Sequence, residues 1–508
     1  MAQVCWQCGA SSEPAIASES PPLRDFHRLL TSNDIPLDSE IPFIRDIASD
    51  EQKQVDTLEA AIVQLTRKRD EMVENIRQHC AILSPIRRVP PELVCEILAL
   101  SLSSEDDGDM ANEPPWHLGH ICRFWRHCVL AYPALWSSIT IPSSSSDPRP
   151  FLSMLEIQLV RCADAPLRVC WSPYDDRNIA DPGSVNLVLA HSSRWRILVL
   201  DIRCKFYVPV SLDWLRPANG RLLALETFKV TGTRSRVEIP DIFSTIPSLR
   251  NVFLSNWTFK VRTSVPAIPW AQITRYSGIF DPDKQIEILE AAANLVSCAL
   301  GFPNWNDVVR GIPIVLPRLR RLHLETPEFI HRLNTPLLEE LIIHYWGGPT
   351  YGVPEILPFI QRSSCMLKTL VLRRCNVDFN LITVLQGLPS LTHLVIENDS
   401  LHSTPTHIAF FDALENDLCP NLTSMAFRVG SSDIDTRRLF AMARSRFQLE
   451  PPSARLAQLR LFGSWVSMVE PCPPHIAVEI QIMCDEGFDV SFVDSHEEET
   501  LKGKATFP

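Results

Sequence analysis

The stretch LRRLHLETPEFIHRLNTPLLEELII, residues 319–343, contains one short pattern twice. In each copy a leucine is followed by two residues, a second leucine, one residue and a third aliphatic side chain, as in Leu319, Leu322 and Leu324. Side chains of a β-strand alternate between two faces, so the second and third anchors point the same way. The pattern therefore predicts two short strands, each with one buried face.

The same pattern recurs through the C-terminal two-thirds of the chain. The other clear copies have anchors at Leu338-Leu341-Ile343, Leu367-Leu370-Leu372, Leu391-Leu394-Ile396, Leu422-Met425-Phe427 and Leu456-Leu459-Leu461. Weaker copies lie at Trp195-Leu198-Leu200, Leu225-Phe228-Val230, Leu249-Val252-Leu254 and Leu295-Cys298-Leu300. Many similar strands along one chain predict a repeat architecture.

The spacing of the copies is irregular but overlaps that of leucine-rich repeats. The middle anchors 228 and 252, 298 and 322, and 370 and 394 are each 24 residues apart, while 322 and 341 are 19 apart. One strand with its return segment cannot bury its apolar side alone, so neighbouring repeats stack. We predict an irregular leucine-rich-repeat-like α/β solenoid over residues 151–493. The alternative is a generic α/β domain whose buried strands share the pattern.

The residues between the anchors would form the exposed face of such strands. They mix charged, imidazole and modestly apolar side chains, which is typical of a protein-binding surface, and no acid–base or metal geometry can be grouped from them. The predicted substrate-binding residues are Arg321, His323, Glu340, His344, Arg373, His393, Arg428 and Arg460.

A second informative stretch is AILSPIRRVPPELVCEILALSL, residues 81–102, which WHLGHICRFWRHCVLAYPALWSSI follows at 116–139. Pro90 and Pro91 suit the entry and first turn of a helix, where a missing amide donor costs nothing. Glu92 favours the positive end of that helix. Leu93 and Ile97, with their apolar neighbours, then recur at helical spacing. The pattern predicts a helix that begins at the proline pair.

The order Pro-Pro-Glu-Leu, then Ile-Cys-Arg-x-Trp-Arg, then Pro-Ala-Leu-Trp resembles an F-box, over residues 85–142. With the helix that precedes it, the arrangement is similar to a large class of fungal F-box proteins. The resemblance implies an all-α module that binds the adaptor subunit of a cullin–RING ubiquitin ligase of the SCF type. By position, the adaptor-binding residues would be Pro90, Pro91, Leu93, Ile97, Leu98 and Trp125, while Ile121 and Trp136 would close the core of the module.

The chain departs from the usual F-box pattern at three places. Val89 and Leu98 stand where Leu and Phe are common, and both keep the apolar character. The acidic insertion at 103–115 is longer than the usual loop. If the resemblance holds, the chain is a substrate-receptor subunit, and the chemistry takes place on other subunits. The alternative is a scaffold that assembles proteins without a ligase.

A helical segment at 50–84 precedes this module. Apolar residues follow a spacing of three and four, interrupted by Arg69 and His79, at Val55, Leu58, Ile62, Leu65, Met72, Ile76 and Leu83. This spacing predicts a coiled-coil helix. The seam pairs either with a second copy of the chain, as a homodimer through residues 50–84, or with the F-box in an intramolecular hairpin.

Composition bounds the remaining possibilities. The 508-residue chain has 45% hydrophobic residues, which fits a globular protein, and a formal net charge of −12, which argues against a nucleic-acid partner. It has no phosphate-loop, dinucleotide or GxSxG motif, so we expect no enzyme and no cofactor. No signal peptide or membrane span is expected, and the 15 cysteines suit a reducing compartment, cytoplasmic or nuclear.

The ends and joints of the chain complete the predicted organisation. Residues 1–49 are expected to be flexible, 143–150 to form a linker rich in serine and proline, and 494–508 to be an acidic tail. Cys5 and Cys8 form one CxxC pair, but a structural zinc site needs four ligands and no second pair lies nearby. We therefore expect no metal site.

Overall fold

The computed structural model describes most of the chain. The description that follows concerns residues 27–102, 115–142, 149–172, 182–202, 210–232, 237–256, 265–302, 311–344, 353–374, 377, 379–397, 406–416, 418–428, 436–448, 454–462 and 474–492. Cys5, Cys8, the acidic insertion from 103 to 114 and the acidic tail lie outside these residues.

The described residues form a mixed helical and strand structure. The α-helices are α1 His27–Thr31, α2 Glu40–Ile82, α3 Pro91–Leu102, α4 Arg123–Ala131, α5 Arg149–Arg161, α6 Pro182–Leu189, α7 Pro282–Ala291, α8 Val353–Ser363, α9 Phe379–Gln386, α10 Thr406–Glu415, α11 Thr436–Phe447 and α12 Pro474–Asp485. The strands are β1 Ser138–Pro142, β2 Leu167–Ser172, β3 Trp195–Ile202, β4 Val210–Ser211, β5 Thr227–Gly232, β6 Val237–Glu238, β7 Asn251–Asn256, β8 Arg275–Ile279, β9 Ser297–Gly301, β10 Ile314–Val315, β11 Arg321–Leu324, β12 Leu333–Asn334, β13 Glu340–His344, β14 Thr369–Arg373, β15 His393–Glu397, β16 Ser424–Arg428, β17 Gln458–Phe462 and β18 Asp489–Phe492.

One large parallel sheet dominates the strand content. It contains 14 strands, in the order β1-β2-β3-β5-β7-β8-β9-β11-β13-β14-β15-β16-β17-β18, so each strand pairs with the next one along the chain. The strands β4 and β6, and β10 and β12, form two separate parallel pairs. A parallel neighbour needs a return segment, and helices or 3-10 turns between the strands supply it.

The predicted strand anchors form a continuous buried row across this sheet. Leu322 is in register with Leu341, Leu341 with Leu370, and Leu370 with Leu394. All ten predicted copies of the pattern fall at strands of the sheet, and each of their anchors is at most 1% exposed. Burial of an aliphatic side chain contributes about 1.5–3 kcal/mol, so this row is a main source of stability.

Four strands of the sheet were not predicted: β1, β2, β8 and β18. In β8 the third anchor position is Gly278, and a side chain there would collide with the ring of Tyr276. Tyr276 is fully buried, and its hydroxyl donates a hydrogen bond to Gln285 Oε1 at 2.9 Å. One large aromatic residue thus replaces two aliphatic anchors, and the pattern disappears from the sequence.

Two arginines, Arg446 buried and Arg362 half-buried, connect the return segments of successive strands. Arg446, on α11, donates from Nη1 to the carbonyls of Leu414 and Leu418, both at 3.1 Å, and from Nη2 to that of Cys419 at 2.7 Å. Arg362, on α8, donates in the same way to the carbonyls of Ile330 and Leu333. Each guanidinium thus holds together carbonyls that are several residues apart along the chain.

The chain divides into two compact units, residues 1–90 and 91–508. The sequence predicted a boundary at 84/85, near this division, and a further one at the 143–150 linker, where the structure does not divide. The structure differs because β1, at the end of the predicted F-box range, pairs with β2 and so begins the sheet. Residues 149 and 150, predicted as linker, open α5. The remaining linker residues, 143–148, lie outside the described residues.

The first unit contains the predicted coiled-coil helix. It is longer than predicted, because α2 runs over 43 residues from Glu40 to Ile82, and residues 40–49 are helical where a flexible region was expected. The predicted seam residues are exposed, from 45% at Val55 to 76% at Leu83. The choice between a second copy and a hairpin remains a prediction.

Candidate protein-docking sites

Helix α3 has two apolar faces that point in different directions. Successive residues are about 100° apart on a helix, so Leu93, Ile97 and Leu100 share one face and Val94 and Leu98 lie on the other. Val94 and Leu98 are 1% and 2% exposed, whereas Leu93, Ile97 and Leu100 are 55%, 48% and 72% exposed. The set Leu93, Ile97 and Leu100 is called the α3 outer face below.

The inner face of α3 packs on α4. Helix α4 is capped by Cys122, whose Sγ accepts a hydrogen bond from the backbone amide of Trp125 at 3.4 Å. Cys95 Sγ donates to the carbonyl of Cys128 at 3.6 Å, and both cysteines are buried. Burial raises the pKa of Cys95 above its usual value, so the thiol stays protonated and packs as a small apolar group.

A polar contact outside this core also joins the two helices. The hydroxyl of Tyr132 donates to Glu96 Oε1 at 2.6 Å. This hydrogen bond to the carboxylate raises the pKa of Tyr132, so the hydroxyl keeps its proton. The orientation of α3 is therefore fixed by apolar packing and by a polar contact at its rim.

Trp136 attaches this helical pair to the sheet. It is 1% exposed, and its indole Nε1 donates to the carbonyl of Val129 at 2.8 Å. Its ring meets that of Trp116 edge-on at 4.9 Å, and the guanidinium of Arg161 lies 4.4 Å from the ring centroid of Trp136. Gln158, also on α5, donates to the carbonyl of Trp136 at 3.1 Å. These contacts hold α3, and with it the α3 outer face, in a fixed orientation relative to the sheet.

The predicted adaptor-binding residues are only partly brought together. Leu93 and Ile97 share an exposed helix face, Pro90 and Pro91 are exposed, and Trp125 is half-buried. Leu98 was wrongly expected at the docking surface. It lies in the core, because it shares the inner face with Val94.

The predicted core of the module is also only partly observed. Trp136 is buried as predicted, but Ile121 is 58% exposed and does not close the core. Leu100 was missed, although its spacing of seven residues from Leu93 places it on the same face.

The face of the sheet between the anchors carries the second candidate site. Arg321, Glu340, Thr369 and His393 are in register on successive strands. Arg321 and His393 are exposed, while Glu340, His344, Arg428 and Arg460 are half-buried. Two predicted binding residues are less accessible than expected, since Arg373 is 8% and His323 is 4% exposed. The expectation that His323 is a surface residue was wrong.

A charged cluster lies at the carboxyl ends of β14, β15 and β16. Arg428 Nη1 is 2.7 Å from Glu397 Oε1, and Arg373 Nε is 4.0 Å from Glu397 Oε2. The side chains of Arg373 and Glu397 are about one-tenth exposed, whereas that of Arg428 is 27% exposed. Glu397 is thus held between two guanidinium groups, and the cluster contains one more positive than negative charge.

Two other carboxylates on this face of the sheet, Glu325 and Glu340, are partly shielded from solvent. Burial raises the pKa of Glu325. Burial also raises the pKa of Glu340, although Arg321, whose Nε lies 3.1 Å from Glu340 Oε2, and His393 oppose the shift. Such a surface suits a partner that brings complementary charges and excludes water.

Metal and nucleophile chemistry finds little support in the described ranges. No group of three or more His, Cys, Asp or Glu side chains within them could hold a metal ion. The cysteines there are thiols, and burial raises the pKa of Cys419 to about 12 and that of Cys298 further, so both of these stay protonated. Across the same ranges, no helix has the length and apolar character that crossing a membrane requires.

No family model matches the sequence, and a search of curated proteins gave no match.

Proposed function

We propose that this chain is a substrate-receptor subunit of a cullin–RING ubiquitin ligase of the SCF type. In this proposal the α3 outer face binds the adaptor subunit, and the sheet face binds a protein target. The observation that carries the proposal is that helix α3 has one apolar face buried against α4 and a second apolar face left exposed.

The α3 outer face has the properties of a docking surface. Leu93, Ile97 and Leu100 are about half exposed or more, so burial of each against a partner contributes about 1 kcal/mol or more. A helix laid into an apolar groove is a common recognition mode, with anchors spaced by three, four and seven residues. The spacing of these three residues fits that mode, and it supports the F-box interpretation of the Pro-Pro-Glu-Leu motif.

The sheet supports the second half of the proposal. Sequential parallel strands with an in-register buried row favour a leucine-rich-repeat-like solenoid over a generic α/β domain. The face beside that row carries Arg321, His393 and Arg460 among modest apolar side chains, and it fits a protein target with acidic groups. The ligase would then act by proximity, because it holds a lysine of the target near an activated thioester.

The test is co-purification of the full chain with the adaptor of an SCF-type ligase. The test variant is Leu93→Asp with Ile97→Asp, which places two carboxylates on the α3 outer face. Burying unpaired carboxylates costs several kcal/mol, so we expect capture by the wild type and loss of capture by the variant.

A matched control is available on α5. Met154 and Ile157 are 46% and 44% exposed, close to the exposure of Ile97. Met154→Asp with Ile157→Asp adds the same charge to another exposed apolar patch, and adaptor capture should persist. Thermal unfolding should be unchanged in both variants, since these positions are on the surface.

Two outcomes would overturn the proposal. If the wild type fails to capture the adaptor, the chain is better described as a protein-interaction scaffold without a ligase. If the α3 variant still captures the adaptor as the wild type does, the docking surface lies elsewhere and the F-box assignment fails.

A further inference from the structure

The stripe on α2 continues beyond the predicted seam, through positions that are exposed at Glu51 and Ala48 and half-buried at Ile44 and Ile41. The helix begins at Glu40, and the same spacing of three and four that sets Val55 and Leu58 continues backwards along it. The added positions are Glu51, Ala48, Ile44 and Ile41. The complete stripe thus contains one acidic residue, Glu51, and one basic residue, Arg69, on opposite sides of its middle.

Glu51 and Arg69 restrict how the stripe can meet a partner. In a parallel pair of identical helices each seam residue faces its own copy, so Glu51 would face Glu51 and Arg69 would face Arg69. Both contacts would place like charges at an apolar seam, which is unfavourable. An antiparallel pair can instead set Glu51 opposite Arg69 of the second copy.

We propose that α2 forms an antiparallel homodimer in which Glu51 faces Arg69 of the second copy on both sides of the two-fold axis. Apart from the Glu51–Arg69 layers, all layers of the shared seam in this register are apolar, with the exception of the layer that holds His79. The facing pairs are Val55 with Leu65, Leu58 with Ile62, Ala48 with Met72, Ile44 with Ile76, and Ile41 with His79.

The length of the helix supports the same register independently. When Glu51 lies opposite Arg69, the two-fold axis crosses the helix pair at the level of Ala60. The midpoint of the 43-residue helix is Ala61, only one residue away. The two copies therefore overlap along almost their whole length, about 60 Å at 1.5 Å per residue. A shift of one heptad in either direction would place Arg69 opposite Leu58 or Ile44 and would shorten the overlap.

The contacts that Arg69 makes within its own chain leave it able to pair with Glu51 of the second copy. Arg69 Nη2 lies 2.6 Å from Asp70 Oδ1 within the chain, but both side chains are more than 60% exposed, so that contact is weak. Glu59 would approach Glu59 of the second copy near the two-fold axis. This contact lies on the solvent side of the seam, where water and salt screen it.

The test is a charge exchange, measured on the full chain by sedimentation equilibrium. Glu51→Arg alone and Arg69→Glu alone each replace two attractive contacts with two repulsive ones. Each should raise the dissociation constant of the dimer at least about tenfold. The double variant Glu51→Arg with Arg69→Glu restores both attractive contacts in the antiparallel register and should return the constant to within about threefold of the wild type.

A parallel dimer predicts a different result for the single variants, because each of them exchanges one pair of facing like charges for another and should leave the dissociation constant near that of the wild type. The control, Glu74→Arg with Arg77→Glu, makes the same exchange on exposed residues outside the seam and should leave the dimer intact. A wild type that stays monomeric at about 50 μM would overturn the proposal. So would single variants that dimerise like the wild type, or a double variant as weak as the single ones. These outcomes do not depend on adaptor binding.

Discussion

The leucines of the sheet and the leucines of helix α2 are the same residue type in opposite situations. Leu322 and Leu341 are 1% and 0% exposed, whereas Leu58 and Leu65 are 48% and 66% exposed. The sheet leucines meet partners from the next strand of the same chain. The α2 leucines belong to a compact unit of only 90 residues and remain at the surface. Sequence pattern alone gives both sets regular apolar spacing, and only the structure separates them.

This difference assigns different roles to the two sets. A row that is buried within one chain contributes to the free energy of unfolding of that chain. An exposed apolar stripe contributes when a partner covers it, and large patches of this kind mark interaction sites. The α3 helix combines both cases, since its inner face stabilises the fold and its outer face stays exposed.

The largest expected effect is a direct test of the comparison. Leu341→Ala should lower the free energy of unfolding by about 2–5 kcal/mol, because it opens a cavity beside Leu322 and Leu370. Leu58→Ala, the matched change on α2, should alter it by less than about 0.5 kcal/mol under monomeric conditions. Urea unfolding followed by circular dichroism measures both. Equal effects at the two positions would mean that Leu58 is buried in solution.

The same contrast between buried and exposed positions can be tested with two arginines of α11. Arg446 is 2% exposed and donates to the carbonyls of Leu414, Leu418 and Cys419. Arg446→Met should cost about 2–4 kcal/mol, because the change removes the hydrogen bonds that the guanidinium donates to three buried carbonyls. Arg437→Met, at an exposed position of the same helix α11, should cost less than about 0.5 kcal/mol. Chemical denaturation of the two variants side by side makes the test, and an Arg446→Met protein as stable as the wild type would contradict this role of Arg446.

The smallest effect concerns pH. Burial raises the pKa of Glu325 in the folded state, so the folded state binds more protons than the unfolded state between the two pKa values. Stability therefore falls as pH rises from the unfolded value, about 4.3, through the folded value. Glu325→Gln cannot ionise, so it should raise the melting temperature by a few degrees at most at neutral pH. That gain should shrink as the pH approaches about 4.3.

Glu59→Gln is the control for this pH test, because Glu59 is exposed on α2. It should show no such dependence of the melting temperature on pH under monomeric conditions. A Glu325→Gln gain that is the same at all pH values would mean that the substitution improves packing and does not act through ionisation.

Much of the sheet was predictable because its strands repeat one pattern. Ten copies were found, and each of their anchors is almost completely buried. The strand β1 was missed although Trp136, Ile139 and Ile141 repeat the pattern and are equally buried, since that stretch was assigned to the F-box range. The strand β8 was not predicted, because the ring of Tyr276 fills the space that an anchor at Gly278 would need. The pattern requires a large apolar side chain at each anchor, so a strand that exchanges volume between two of its anchors does not match it.

The docking helix was predictable in position but not in orientation. The proline pair fixed the start of α3 at Pro91, and the pattern identified Leu93 and Ile97. It did not separate them from Leu98, because all three belong to one apolar run. Packing on α4 decided which residues of α3 became core.

The sequence by itself determined the local elements: the α2 helix, the proline-bounded start of α3 and ten of the strands. These follow from backbone sterics and apolar periodicity, which act between residues close together in the chain. Only the tertiary structure decided that β1 belongs to the sheet, that Leu98 is core, and that Arg373 and Glu397 are nearly buried together. Burial depends on which surfaces meet, and those surfaces come from residues tens of positions apart.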